Sequence, residues 1–147
     1  MTNPTGTNPP LADQPAPQNS PLKSVLYVDD EPDIREVVEM SLNLVSGIAV
    51  KTCGSGLAAL ELLRTFQPDL VLLDVMMPGL DGPATLMRMR GDADLKHIPV
   101  VFMTAKALPQ EVDRFMSLGA VGVISKPFDP MQLATRVQEV WRSVVNP

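Results

Sequence analysis

Five times along this chain a short apolar run is followed by a stretch with helical spacing. Little else limits so tightly what it can fold into. SVLYVDD begins the series at Ser24. It precedes a helical pattern that puts Ile34, Val37, Val38, Leu42 and Val45 on one face and stops at Gly47. IAVKT forms a second strand, and Gly54-Ser55-Gly56 opens a helix carrying Ala59, Leu60 and Leu63 that closes near Gln67-Pro68. LVLLD is continuous and apolar, as a strand covered on both faces must be. MMPGLDG then leads into a helix ending near Arg90. IPVVFMT and VGVIS supply the fourth and fifth strands, with a helix from about Pro109 to Leu118 between them. A last helix, from about Asp129 to Val145, turns Leu133, Val137, Val140 and Val144 inward. Strand-then-helix alternation of this kind predicts an α/β domain with a parallel sheet and helices on both faces.

The places where polar residues interrupt the strands carry the chemistry. Asp29 and Asp30 end the first strand, Asp74 the third and Thr104 the fourth, and Lys126 follows the fifth. Parallel strands share one C-terminal edge, and open α/β sheets bind ligands there, where the winding direction reverses. The pattern therefore gathers three carboxylates, a hydroxyl and an ammonium into one pocket. Two unit charges 4 Å apart interact by about 4 kcal/mol at an effective dielectric of about 20. Three acids against one lysine must either raise a carboxyl pKa or recruit a cation. Oxygen-rich, thiolate-free ligation favours Mg²⁺, with Mn²⁺ as the alternative. A carboxylate beside such an ion can attack a phosphoryl donor, with charge stabilisation and positioning as the main sources of catalysis.

VDDEPDIRE, LVLLDVMMPGLDG, VVFMTAKA and SKPF, in that order, resemble the receiver domains of two-component response regulators from about Ser24 to Val145. The resemblance implies a flavodoxin-like doubly wound (βα)5 fold with sheet order 2-1-3-4-5, an order already familiar from a chemotaxis receiver of the same family. It implies that Asp74 is the phospho-acceptor. Asp30, Asp74 and the backbone carbonyl of Met76 would ligate Mg²⁺, with Asp29 acting largely through water. Thr104 and Lys126 would contact phosphoryl oxygens, Ala105 would leave room for them, and the Lys126–Pro127 bond is often cis in such domains. The donor would be a phosphohistidine on a sensor histidine kinase or a histidine phosphotransfer protein. The domain would catalyse its own phosphorylation and dephosphorylation without being a turnover enzyme on metabolites. One position departs from the family pattern: Val123 stands where an aromatic residue often turns inward on activation. Phosphotransfer is then expected intact, with an altered response at the fourth helix, fifth strand and fifth helix.

At 147 residues, with 45% hydrophobic and 20% charged side chains, the chain suits one domain. Residues 1–21 are rich in Pro, Asn, Thr and Gln and read as a disordered tail, with an extended docking segment as the alternative; residues 22–147 read as the receiver. A formal charge of −5 argues against a nucleic-acid surface. The lack of a long apolar run, of a signal peptide and of a second cysteine beside Cys53 fits the cytoplasm. Few residues follow the last helix, so output is expected through an unidentified downstream protein, and a homodimer through the last two helices is compatible with the pattern.

Plainer roles compete for several residues. Asp30 and Thr104 could cap helices. Cys53 reads as a half-buried filler, His97 as a loop residue at the opposite edge, and Trp141 as shared between core and partner contact. Met76, Met77, Met87, Met89, Met103 and Met116 read as packing residues. Among other functions, an aspartyl-phosphate hydrolase of the haloacid-dehalogenase kind would want a second acid where Met76 stands. A pseudo-receiver scaffold would not need the full acid pocket. A flavin-binding protein would want a phosphate loop after the first strand, which this chain lacks.

Overall fold

The computed structural model describes residues 20–147. The reading of residues 1–19 as a tail lies outside the described residues, as does the side chain of Val45. The chain runs β1 (Ser24–Val28), α1 (Pro32–Ser46), β2 (Ala49–Cys53), α2 (Gly56–Leu62), β3 (Leu70–Asp74), α3 (Gly82–Arg90), β4 (Val100–Thr104), α4 (Pro109–Ser117), β5 (Gly122–Ser125) and α5 (Pro130–Val145). All neighbouring strands are parallel, in the order β2-β1-β3-β4-β5. This is the flavodoxin-like architecture. The winding reverses between β1 and β3, at whose C-terminal ends Asp29, Asp30 and Asp74 sit.

Side-chain alternation divides the core in two. Leu26, Val28, Val71, Leu73, Val100 and Phe102 face one layer, with Leu63 from the end of α2 and Leu86 and Phe115 from α3 and α4 above them. Val25, Tyr27, Leu70, Leu72, Val101 and Met103 face the other, where Val38, Leu42, Leu133 and Val137 come from α1 and α5. Strand residues of both sets are fully or almost fully buried, each worth about 1.5–3 kcal/mol of transfer free energy. Period-2 continuation carries Asp29 and Asp74 to the α1/α5 side of the sheet edge, the side from which Lys126 leads into α5.

Local chemistry sets the helix ends. Ser55, Asp81 and Asp129 cap α2, α3 and α5 by accepting from the N–H groups of Ala58, Ala84 and Met131. Gly47 closes α1 at φ 70°, a left-handed conformation costly for any residue with a Cβ. Three details differ from the sequence pattern. Helix α2 ends at Leu62, and the chain reaches Pro68 through turns rather than a longer helix. Val37 is 41% exposed, because α1 buries only the narrower stripe of Val38 and Leu42. Of the methionines, Met77, Met89 and Met103 are buried, but Met76, Met87 and Met116 are exposed and do not fill the core.

Helix α3 meets the end of β3 at Gly82. A Cβ there would lie 2.5 Å from the Asp74 carbonyl oxygen and 2.9 Å from the Val75 Cα. Gly82→Ala is therefore expected to cost about 1–3 kcal/mol, since backbone must shift. Gly91→Ala is the control, its Cβ meeting nothing closer than 3.7 Å; a change within about 0.5 kcal/mol is expected there. Urea unfolding of both variants checks this. Equal stability of the two would contradict the close seating of α3 on β3.

Candidate functional site

The Asp29 carboxylate is fully buried, and its oxygens are already engaged. Oδ1 accepts from the Glu31 N–H at 3.0 Å, and Oδ2 from the Tyr27 hydroxyl at 2.7 Å. Lys126 Nζ reaches the same Oδ2 at 3.3 Å, Asp74 Oδ1 at 3.5 Å and Glu31 Oε1 at 4.0 Å. The Arg35 guanidinium donates to the Asp29 carbonyl at 2.7 Å and ties α1 to the loop that carries Asp29 and Asp30. One ammonium is thus shared by two buried acids and a third at the rim.

These contacts bias protonation. Burial pushes the Asp74 carboxyl up to about 6; Lys126 pulls it down, while Asp29 and Asp30 add to the rise. Burial alone would lower the Lys126 pKa, but the charges of Asp74 and Asp29 outweigh it and the ammonium is held above its ordinary value. Burial and then the hydrogen bond to Asp29 push the Tyr27 phenol far up, so it stays a donor.

The residues that sequence placed at one sheet edge do converge. Carboxylate oxygens of Asp29, Asp30 and Asp74 lie within 4.8 Å of one another, with Asp30 exposed and the other two buried. Beside them opens a cleft of about 690 Å³ lined in part by Asp30, Asp74, Met76, Ala105 and Lys126. Thr104 is 5% exposed at the end of β4; its hydroxyl oxygen accepts from the Lys106 N–H at 3.1 Å, and its carbonyl from the Lys126 N–H at 2.7 Å. Neither capping alternative holds: Glu31 is the N-cap residue of α1 and Leu108 that of α4. The Lys126–Pro127 peptide is cis.

The cluster fits a hard divalent ion. Its donors are all oxygens, three negative charges face one lysine, and Asp29 is occupied by protein donors, which leaves Asp30 and Asp74 the better placed to ligate directly. Sequence reading missed Tyr27, Glu31 and Arg35. Tyr27 was legible in principle, since a strand residue two before Asp29 shares its face. Arg35 gave no such signal.

Other singled-out residues lie elsewhere. His97 is exposed and lines a separate groove with Gln67, Pro68 and Trp141. Cys53 is half-buried, its thiol pushed up by burial. The Trp141 indole donates to the Ser20 carbonyl at 2.8 Å. Val123 is half-buried against the layer that contains Phe102 and Phe115, whose rings are 4.9 Å apart. No helix among the described residues is long and apolar enough to cross a membrane.

Residues 25–138 match the family described as the response regulator receiver domain. The chain is 39% identical over 127 residues to a probable transcriptional regulator, ycf27, of Cyanophora paradoxa, covering 85% of this chain and 51% of that one. It is 38% identical over 118 residues to the transcriptional regulatory protein CseB of Streptomyces coelicolor, covering 80% and 49%. The chain spans about half the length of these curated relatives. Among solved structures it is similar to the chemotaxis response regulator CheY4 of Vibrio cholerae, with a TM-score of 0.75, 30% identity, and coverage of 81% of this chain and 98% of that one.

Proposed function

The chain belongs to the receiver-domain family of response regulators, phospho-accepting modules of two-component signalling, and from that premise we propose that Asp74 is its phospho-acceptor. The supporting observation is the convergence of Asp29, Asp30 and Asp74 within 4.8 Å while Lys126 reaches two of them. Family members bind Mg²⁺ at such an acidic pocket; here Asp30 and Asp74 would hold the ion, with the Met76 carbonyl as a third ligand and Asp29 acting through water. Bound there, Mg²⁺ (or Mn²⁺) neutralises charge on the transferring phosphoryl oxygens.

The chain's own residues do the rest. A carboxylate oxygen of Asp74 forms a bond to phosphorus as the P–N bond of the donor's phosphohistidine breaks. The electron pair returns to the imidazole, which takes up a proton. Lys126 turns from the carboxylates to the phosphoryl oxygens, Thr104 donates its hydroxyl to one of them, and Ala105 leaves space. Dephosphorylation reverses the charge change: water attacks phosphorus, the O–P bond breaks, and the carboxylate returns with release of phosphate. The domain supplies catalysis for both steps, and no external metabolite is turned over.

A sensor histidine kinase or a histidine phosphotransfer protein is the donor, a downstream protein is the reader, and a homodimer through α4 and α5 is a further mode of output. The acidic balance of −5 favours protein over DNA as the direct contact, and this partner set fits the cytoplasm. Residues 22–147 form the receiver unit. Acetyl phosphate with Mg²⁺ tests the chemistry: one phosphoryl group per chain is expected, none in EDTA, and no sustained turnover of phosphate monoesters. Sustained turnover would favour the hydrolase reading, which Met76, 78% exposed where an acid would be needed, already disfavours.

A further inference from the structure

We propose that Tyr27 is a positioning residue of the site: its hydroxyl holds the Asp29 oxygen that Lys126 has to release, so that the lysine can turn to a phosphoryl group arriving on Asp74. The role rests on Asp74 being the phospho-acceptor and adds a residue that the acid–lysine pattern does not include.

Tyr27 lies inside β1 and is wholly buried among Val25, Val38, Leu42 and Leu72. A phenylalanine would fill the same apolar space, so the hydroxyl is the atom that needs explaining. A buried hydroxyl without a partner is costly, and this one donates to Asp29 Oδ2 at 2.7 Å. The same oxygen accepts from Lys126 at 3.3 Å, while Oδ1 is occupied by the Glu31 N–H. Tyrosine and lysine are therefore two donors on one carboxylate oxygen.

That sharing matters when charge arrives. The phosphoryl group carries a charge of about −1.5 to −2 in place of the carboxylate's single charge, so Asp74 becomes more negative by about one charge at most. Among the described residues Lys126, 3.5 Å from Asp74 Oδ1, is the ammonium closest to it. Turning toward the phosphoryl oxygens takes the lysine off Asp29, whose carboxylate has no exposure to water. An anion left there without a donor on Oδ2 would oppose the movement. The Tyr27 hydroxyl keeps that oxygen satisfied. A plain core role for the tyrosine, with Asp29 merely its convenient acceptor, predicts no effect on the lysine.

Tyr27→Phe in the full chain separates the two. Phosphorylation by acetyl phosphate in saturating Mg²⁺ is expected to slow about tenfold in kcat, equivalent to about 1.4 kcal/mol, with KM for the donor unchanged. Without metal or donor, the Lys126 ammonium is expected to sit more firmly on Asp29. Its ¹⁵Nζ signal should therefore sharpen through slower proton exchange. A wild-type rate in the variant would overturn the proposal. So would a slower rate with an unchanged ammonium signal, which is what a purely structural role produces. Failure of the wild-type chain to label at Asp74 would instead remove the phospho-acceptor assignment itself, and the role of Tyr27 with it.

Discussion

Lys126→Met is expected to lose about 3 kcal/mol of folding stability without metal at about pH 8 and, with Mg²⁺ present, to label Asp74 at least about a hundredfold more slowly. Among the described residues, the lysine is the one ammonium shared by Asp29 and Asp74, whose side chains are 0% and 6% exposed. Removing it strands two anions where water cannot compensate, and breaking a buried pair from one side costs far more than the pair is worth as a whole. The folded-state pKa of Lys126 lies above its ordinary 10.5. Its stabilising contribution is thus fully present below that value and is lost only as pH rises past the raised one. At about pH 8 all of it is at stake. The deficit should narrow at about pH 5, where Asp74 takes up a proton and one stranded charge disappears. Urea unfolding at the two pH values measures this. A deficit below about 1 kcal/mol at the higher pH, in the range of an exposed ion pair, would mean that the lysine does not hold the acids together.

Asp74→Asn works in the opposite direction on stability. Burial raises the Asp74 pKa from 3.8 to about 6, so between those values the folded chain binds a proton that the unfolded chain has released. The favourable contribution of this carboxyl is present at low pH and is lost as pH rises through about 6. At neutral pH its charge is a net cost, at most about 3 kcal/mol by the roughly 1.4 kcal/mol per pKa unit that linkage gives. An asparagine of the same shape avoids the cost but also loses the attraction to Lys126. A gain of about 1–2 kcal/mol at about pH 8, vanishing near pH 4, is the expected balance. The same variant should lose most of the stabilisation by Mg²⁺, which for the wild type is about 2.7 kcal/mol at a hundredfold excess over Kd. Thermal melts across pH with and without Mg²⁺ test both parts. A variant that is less stable at about pH 8 and still responds fully to Mg²⁺ would contradict the electrostatic reading.

The elements were legible where the chain obeys a single period. LVLLD is a buried strand because no polar residue breaks it before Asp74, and α5 packs the Leu133 and Val137 stripe that its spacing indicates. Departures arose where tertiary packing decides. Val37 belongs to the same apolar pattern as Val38, yet only so much of the α1 surface can meet the sheet. Met76 looks like core by type and stands exposed at the cleft because it follows the strand end rather than continuing the strand. The acid cluster could be read early because a parallel sheet brings strand ends to one edge. The hydrogen bonds that hold it could not. Arg35 reaches the Asp29 carbonyl through a side-chain direction that no spacing rule encodes. Tyr27 shares the face of Asp29 by strand period, but inside an apolar run it reads first as a core ring, and its hydrogen bond to Asp29 is seen only in the structure.

The position of the phosphoryl group can be read chemically. After incubation with acetyl phosphate and Mg²⁺, borohydride reduces an aspartyl phosphate to homoserine, and peptide mass spectrometry then locates the altered residue. Conversion at residue 74, abolished by EDTA and absent from Asp74→Asn, is the expected outcome. Homoserine at Asp29 or Asp30, or an unmodified peptide spanning LVLLD under the same conditions, would contradict the assignment.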